Sequence, residues 1–479
     1  MREGGFLGIP AGFLYSGLIL GPAVLIVITV CQWMAAGMLV QVASRAHALL
    51  LVKSASATLT PVLKPLAKDA LSSPSASDGT GKETRPPSLH IPSHTSYEVM
   101  LLTRLHLGRW AERVTMIALG LYLVGTLWSY IAVFSSSLAA TVPLPFLQAG
   151  EPCDIYKTEV YGGGCISLYY WWVLSFGMLM SVLLALDLRE QAAFQCAMTL
   201  VRGLIILLMV GTLALGTRAD FGLDEQPQPS NTTAELIASL DADPTQRLVR
   251  WPGLQLMVPI GVFCQNFQIG VPSLLQPLGR KKDVSRIFGI ALTATLIMYT
   301  ALGYAAVHVL GADVDPSCNL NWQSYVSSPI ALAVALFPAV DAFSVFPLNA
   351  AFLSNNLMAC VFQRRWHAGE ISRRTKYLFR VVCVLPSFVC AFAFPSLSKA
   401  LDFTGIVGII LPFIITPLLH ASSRAEGRER WGTAAFDRAE AAAGWGLGSL
   451  TSPWFVLAFG VFGSILLAFC VVCGLIYGF

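Results

Sequence analysis

Charge is scarce in this sequence. Charged side chains make up only 12% of its 479 residues, about half the share that covers an ordinary soluble protein. A water-facing surface cannot be built from so few, and 55% of the residues are hydrophobic, with a mean hydropathy of +0.66. The same figures exclude a disordered chain and a small secreted scaffold stapled by disulfides. The formal net charge of +4 is too slight for a nucleic-acid partner, and the cations prove to follow membrane topology instead. Enzyme signatures are missing as well. There is no H-E-x-x-H and no Cys/His cluster at metal-ligand spacing, so neither a metal site nor a cofactor is expected. Gly79-Thr80-Gly81-Lys82-Glu83 fails as a phosphate loop, because Glu83 replaces the Mg²⁺-binding hydroxyl and the upstream glycine is absent. The seven histidines are scattered. Met1-Arg2 leads straight into apolar sequence without a small-residue cleavage site, so no secretory leader is expected.

Long apolar runs fill the chain instead. A bilayer core about 30 Å thick takes roughly 20 residues of helix. Runs of that kind fall at Gly5–Tyr15, Leu18–Ala43, Val114–Leu138, Leu168–Leu186, Ala192–Leu215, Leu254–Leu275, Ile287–Leu310, Pro329–Val361, Tyr377–Phe394, Leu401–Leu419 and Pro453–Ile476. They predict an all-α integral membrane protein of about 11 transmembrane helices, the first one short. The runs are continuous rather than alternating, which argues against a barrel. Residues 1–452 read as the transmembrane core and 453–479 as an additional C-terminal helix.

Cations orient the bundle. Arg280, Lys281, Lys282 and Arg286 fill one loop, Arg364, Arg365, Arg373, Arg374 and Lys376 another, and Arg424, Arg428, Arg430 and Arg438 follow the tenth span. Lys and Arg gather on the cytoplasmic side, which puts the N-terminus inside and the C-terminus outside. Residues 48–95 then form a cytoplasmic loop. Its Lys53–Pro92 stretch, rich in Ser, Ala, Pro and Thr, reads as a disordered linker. The outer loop of residues 216–252 carries a glycosylation acceptor at Asn231-Thr232-Thr233. Cys153, Cys165 and Cys318 also fall outside, where a Cys153–Cys165 bridge or pairing of either with Cys318 would survive. The other cysteines, Cys470-x-x-Cys473 included, lie in spans and read as small apolar packers.

Two of the spans are interrupted. The first contains Gly4-Gly5-Phe6-Leu7-Gly8-Ile9-Pro10-Ala11-Gly12, and the sixth contains Gly261 to Pro272 with the amides Gln265, Asn266 and Gln268. They take matching places in two halves of opposite topology, the arrangement that marks transporter sites. Unwound backbone frees N–H and C=O groups that hydrocarbon cannot satisfy, so they must bind a solute, an ion or water. Small-residue helix packing is the competing reading for the glycines. Among ionisable residues in the spans, Asp341 is central. Pro338 and Pro347 flank it and predict irregular backbone, and its carboxylate could carry a proton or hold a cation. A structural Asp bonded to a neighbour is the alternative. Arg202 reads as a snorkelling residue near the cytoplasmic end of its span, Asp402 as a helix cap, and Ser129 and Tyr130 as packing or pathway residues.

These residues carry a family resemblance. The opening Gly5-Phe6-Leu7-Gly8-Ile9-Pro10-Ala11-Gly12-Phe13, Phe346-Pro347, and Gly405-x-x-Gly408 with Pro412 resemble the amino acid/auxin permease family of the amino acid–polyamine–organocation superfamily. Cys264-Gln265, Pro272-Ser273-Leu274, Leu336-Phe337-Pro338 and Asn355-Asn356 are similar to its transmembrane protein 104 branch, as is Arg202. The resemblance implies a LeuT-type fold of two inverted five-helix repeats plus a C-terminal helix. It implies H⁺- or Na⁺-coupled transport of amino acids or similar zwitterions by alternating access, in the plasma membrane or an endolysosomal or vacuolar membrane. The substrate would meet Phe6, Leu7 and Gly8 and the segment Cys264, Gln265, Asn266 and Phe267. The coupling ion would sit near Asp341 and Ser344. Relatives place a half-helix before the first glycine break, of which this sequence is expected to hold only the end. A non-transporting amino-acid sensor or scaffold of the same fold is the rival reading.

Overall fold

The computed structural model describes residues 5–55, 97–142, 163–185, 192–223, 248–275, 283–362, 371–443 and 452–477, with positions 89, 144, 153, 155 and 156. Asn231, the Gly79–Glu83 motif, Arg280 to Lys282, Arg364, Arg365 and most of the 48–95 loop lie outside the described residues.

The described residues are mostly helical, with no strand among them. A 3₁₀ turn, Gly5–Gly8, leads into α1 (Ile9–Ser16), then α2 (Leu20–Ala55), α3 (Val99–Thr141), α4 (Gly163–Leu183) and α5 (Ala192–Leu215). The predicted sixth span is two pieces, α6 (Leu254–Gln265) and α7 (Val271–Leu275). There follow α8 (Val284–Leu310), α9 (Ser328–Val361), α10 (Arg373–Ala393), α11 (Leu397–Trp431), the short α12 (Thr433–Ala443) and α13 (Pro453–Tyr477). Nine of the described helices are long and apolar enough to cross a bilayer. The first and sixth predicted spans are the ones built from shorter pieces.

The exposed faces are as apolar as the core. On α5, Leu200, Leu204 and Leu207 point outward, whereas Arg202, Ile206, Met209 and Leu213 are buried. Lipid tails are no less apolar than leucine, so the outward face costs nothing in a membrane. In the interior, Phe134 of α3 meets Phe343 of α9 edge-on at 5.4 Å, and Phe176 of α4 meets Phe346 at 5.0 Å. Such pairs add about 0.5–1.5 kcal/mol beyond burial. The late helix α13 stacks Phe459 on Phe413, centroids 5.6 Å apart.

Several expectations are corrected. Helix α2 runs on to Ala55, so residues 48–55 are helix rather than loop. Helix α9 is continuous through Pro338 and Pro347, and Gln195 of α5 donates to its Ser344 carbonyl. Irregularity falls instead in α11, where Leu411–Ile415 forms a π turn around Pro412. Asp402 is no cap, since Ser396 caps that helix by accepting from the Lys399 amide. Cys153 and Cys165 are joined by a disulfide with Cα atoms 5.8 Å apart, and Cys318 is a buried free thiol.

Helices α6 and α11 touch backbone to backbone. A Cβ placed on Gly405 would lie 2.1 Å from the Pro259 carbonyl oxygen, and backbone cannot swing aside as a side chain can. Gly405→Ala should therefore push the helices apart at a cost of about 1–3 kcal/mol or more. It should lower the melting temperature of the detergent-purified protein by several degrees; an unchanged melt would mean that the contact is dispensable.

Candidate functional site

The chain leaves helical geometry where the sixth span was expected to break. Helix α6 ends at Gln265, Asn266 turns extended (φ −79°, ψ 115°), and Phe267 sits at φ −131°, ψ 9° before the 3₁₀ turn Gln268–Gly270. Against the end of α6 lies Gly5–Gly8. A Cβ on Gly5 would fall 2.6 Å from both Cys264 Sγ and Phe263 Cδ1. The structure thus brings the opening segment to Cys264 and its neighbours, with Phe6, Leu7 and Gly8 all buried. Phe6 stacks on Tyr299 of α8 at 6.3 Å, and Phe267 meets Phe288 edge-on at 5.2 Å.

Each of the three amides at the break does something different. Asn266 is fully engaged: its Nδ2 donates to the Gly408 carbonyl of α11 at 3.1 Å, and its Oδ1 accepts from the Gln268 amide at 3.3 Å. It satisfies a peptide group that the break would otherwise strand. Gln268 donates to Oε1 and the carbonyl of Gln32 on α2, at 3.0 and 2.8 Å. Gln265 is only half engaged. One end of its carboxamide meets the Thr295 hydroxyl at 3.2 Å, whose oxygen also lies 2.9 Å from the Leu292 carbonyl, while the other end is buried with no partner among the described residues. An unmet polar group in hydrocarbon surroundings costs about 1–3 kcal/mol, which a ligand could remove. Sequence reading passed over Gln32 and Thr295, although an amide inside the second apolar run was a visible signal.

The second cluster departs from expectation. Arg202 lies about 15 Å along α5, near the middle of that helix, and is buried rather than snorkelling. Its Nη2 donates to Asp341 Oδ1 at 2.6 Å, with Nε 3.4 Å from Oδ2, and the side chains are 1% and 4% exposed. Among the described residues, the side-chain hydrogen bonds of Asp341 run to Arg202 of α5 and not to Gly5–Gly8. One turn further on, the Ser344 hydroxyl is buried without a partner among the described residues. Removing one member of a buried pair typically costs about 3–5 kcal/mol, so the pair fastens α5 to α9. Ser129 bonds the Gly125 carbonyl within its own helix, and Tyr130 is buried in the core.

The amides should separate in a mutant pair. Gln265→Leu should fold normally and lose amino-acid affinity, because only the half-free carboxamide is removed. Asn266→Leu should lower the melting temperature, because two buried bonds go with it. Equal melting temperatures and unaltered ligand affinity in both would show that neither amide has its assigned part.

The sequence matches the family model described as transmembrane amino acid transporter protein over residues 88–443. That range takes in α3 to α12, including the α6 break and the Arg202–Asp341 pair, and begins after Gly5–Ser16. The chain is also similar to the transmembrane protein 104 homolog of Dictyostelium discoideum. The two are 21% identical over 343 residues, which is 67% of this chain and 62% of that protein. The chain therefore covers somewhat less than two thirds of that relative's length.

Proposed function

The chain belongs to the transmembrane amino acid transporter protein family, and from that premise we propose that it carries amino acids or similar small zwitterions across its membrane by H⁺- or Na⁺-coupled alternating access. Members of the family are transporters rather than enzymes. The observation that carries the reading is the break after Gln265, where one end of a buried carboxamide has no partner among the described residues, beside peptide groups that have left the helix. The carboxylate and the ammonium of an amino acid are groups able to meet it. Phe6, Leu7 and Gly8 with Cys264, Gln265, Asn266 and Phe267 would form the substrate cradle. In a LeuT-type inverted repeat, the two broken spans would face each other across that cradle.

Coupling is assigned to Asp341 and Ser344, with Arg202 as the switch. Arginine keeps its charge at any physiological pH, and in the closed pair the Arg202 guanidinium lies against the Asp341 side chain. A proton or Na⁺ arriving at that carboxylate competes with the guanidinium. Ion occupancy and the seating of α5 on α9 are then linked, which is the differential interaction that a conformational shift requires.

Uptake of a labelled amino-acid panel into proteoliposomes, across imposed pH and Na⁺ gradients, tests the carrier. Binding without flux would transfer the reading to a sensor of the same fold. Arg202→Met with Asp341→Leu removes both charges together, which is often neutral or stabilising. The double variant should fold and carry solute downhill without responding to either gradient. Retained gradient acceleration would take the pair out of the mechanism.

A further inference from the structure

Helices α11 and α13 touch closely at one place, where a Cβ on Gly463 would lie 2.4 Å from the Phe413 Cβ. Alongside that contact a groove of about 680 Å³ runs between them. Leu418, Leu457, Val461 and Ile465 wall it and are themselves exposed, so it opens sideways to where lipid lies. Arg424 and Arg428 stand at one end, and no acidic residue lines it among the described residues. From Ile414, deep in the groove, to Arg424 is roughly 15 Å of helix. Half of a hydrocarbon core about 30 Å thick is the same length, so an acyl chain laid along the walls brings its headgroup to the arginines.

Three arginines share two carboxylates of α12 at that end. Asp437 Oδ1 accepts from Arg428 Nε and Nη2 at 3.1 and 3.0 Å. Glu440 Oε2 lies 3.2 Å from Arg424 Nε, and its Oε1 accepts from Arg45 of α2. Among these five groups one positive charge is left over. Arg45 is buried, whereas the side chains of Arg424 and Arg428 are 16% and 31% exposed. Arg428 spends Nε and Nη2 on Asp437, and its Nη1 makes no bond to the protein among the described residues. We propose that the groove is a binding site for an anionic phospholipid, one acyl chain along Leu418, Leu457, Val461 and Ile465 and the phosphate on Arg428 and Arg424. Arginine forks match phosphate oxygens, and basic pockets between spans select lipids by headgroup charge. A zwitterionic headgroup carries its own cation to the arginines and loses that advantage. A free anion has no use for the apolar walls. The site stands apart from the substrate cradle, and lipid binding does not depend on flux.

The test is native mass spectrometry of the full chain, delipidated in detergent and titrated with phosphatidylglycerol or with phosphatidylcholine of the same acyl chains. Phosphatidylglycerol should bind about fivefold or more tightly than phosphatidylcholine, the selectivity that one basic residue near the surface supplies. Arg428→Gln should bring phosphatidylglycerol down to the level of phosphatidylcholine. Gly460→Leu should weaken both lipids and leave the melting temperature of the lipid-free protein unchanged. A Cβ on Gly460 would lie 3.7 Å from Pro417 Cγ, an ordinary contact, so the larger side chain fills the groove without forcing the helices apart. Glycerol 1-phosphate, which carries the phosphate without the chains, should displace no lipid in the millimolar range. Equal binding of the two lipids by the unmodified protein overturns the site, as does undiminished phosphatidylglycerol binding by Gly460→Leu. Displacement by glycerol 1-phosphate also overturns it, because the arginines would then belong to a soluble anion. The Gly460→Leu series decides the matter even where Arg428→Gln does not fold.

Discussion

Hydrocarbon offers no hydrogen bonds, so every polar group taken into a bilayer must find its partner in the protein. Most of this structure follows from that constraint. Hydroxyls in the spans bond the carbonyl four residues back in their own helix, as Ser16 does with Gly12, Thr29 with Leu25, Thr126 with Tyr122 and Thr404 with Ala400. Buried polar atoms without a partner among the described residues include those of Ser44, Ser135, Trp172, Ser344 and Asn355 at scattered places, and of Gln265, Gln32 and Gln268. The last three lie together, at the α6 break or on the helix bonded to it. Unmet groups gathered at one interruption differ in meaning from the same number spread through a core, because one ligand could satisfy several of them.

The break is held open by its neighbours rather than by weakness of the chain. Asn266 caps the stranded Gln268 amide and ties the turn to Gly408, and Gly405 lets α11 approach Pro259 within backbone contact. Helix α11 is itself relaxed into a π turn just beyond that contact, where α13 packs Phe459 on Phe413. The irregular backbone of one helix thus rests on that of another, and α13 braces both. A rigid surround of this kind is what a transport site needs if the break, and not the bundle, is to respond to a ligand.

Much of the fold was legible because the bilayer imposes one length and one composition on each span. The interruption in the sixth span was visible as Gly261 to Pro272 with its amides. Less legible were the features decided by partners distant in sequence. Arg45 looks like the polar end of the second run, yet α2 continues to Ala55 because Arg45 is buried among Gln41, His420, Ser423 and Glu440. Arg202 reads as an interfacial residue because a lone arginine in a span usually is one; Asp341 on another helix is what allows it to stay buried. The prolines of α9 predict irregular backbone, yet the helix runs through both, with Gln195 of α5 donating to its Ser344 carbonyl. In each case composition revealed the polar group but not the one that answers it.

Arg202 and Asp341 close on each other at 2.6 Å with almost no exposure, so each is compensated and the pair fastens α5 to α9. A closed pair of this kind needs nothing from outside, and its energy resists change. The α6 break differs, because Gln265, Gln32 and Gln268 each keep an atom there that no described protein group meets. The fastening and the break stand on different helices, so a ligand at the break would meet groups that the fastening does not use.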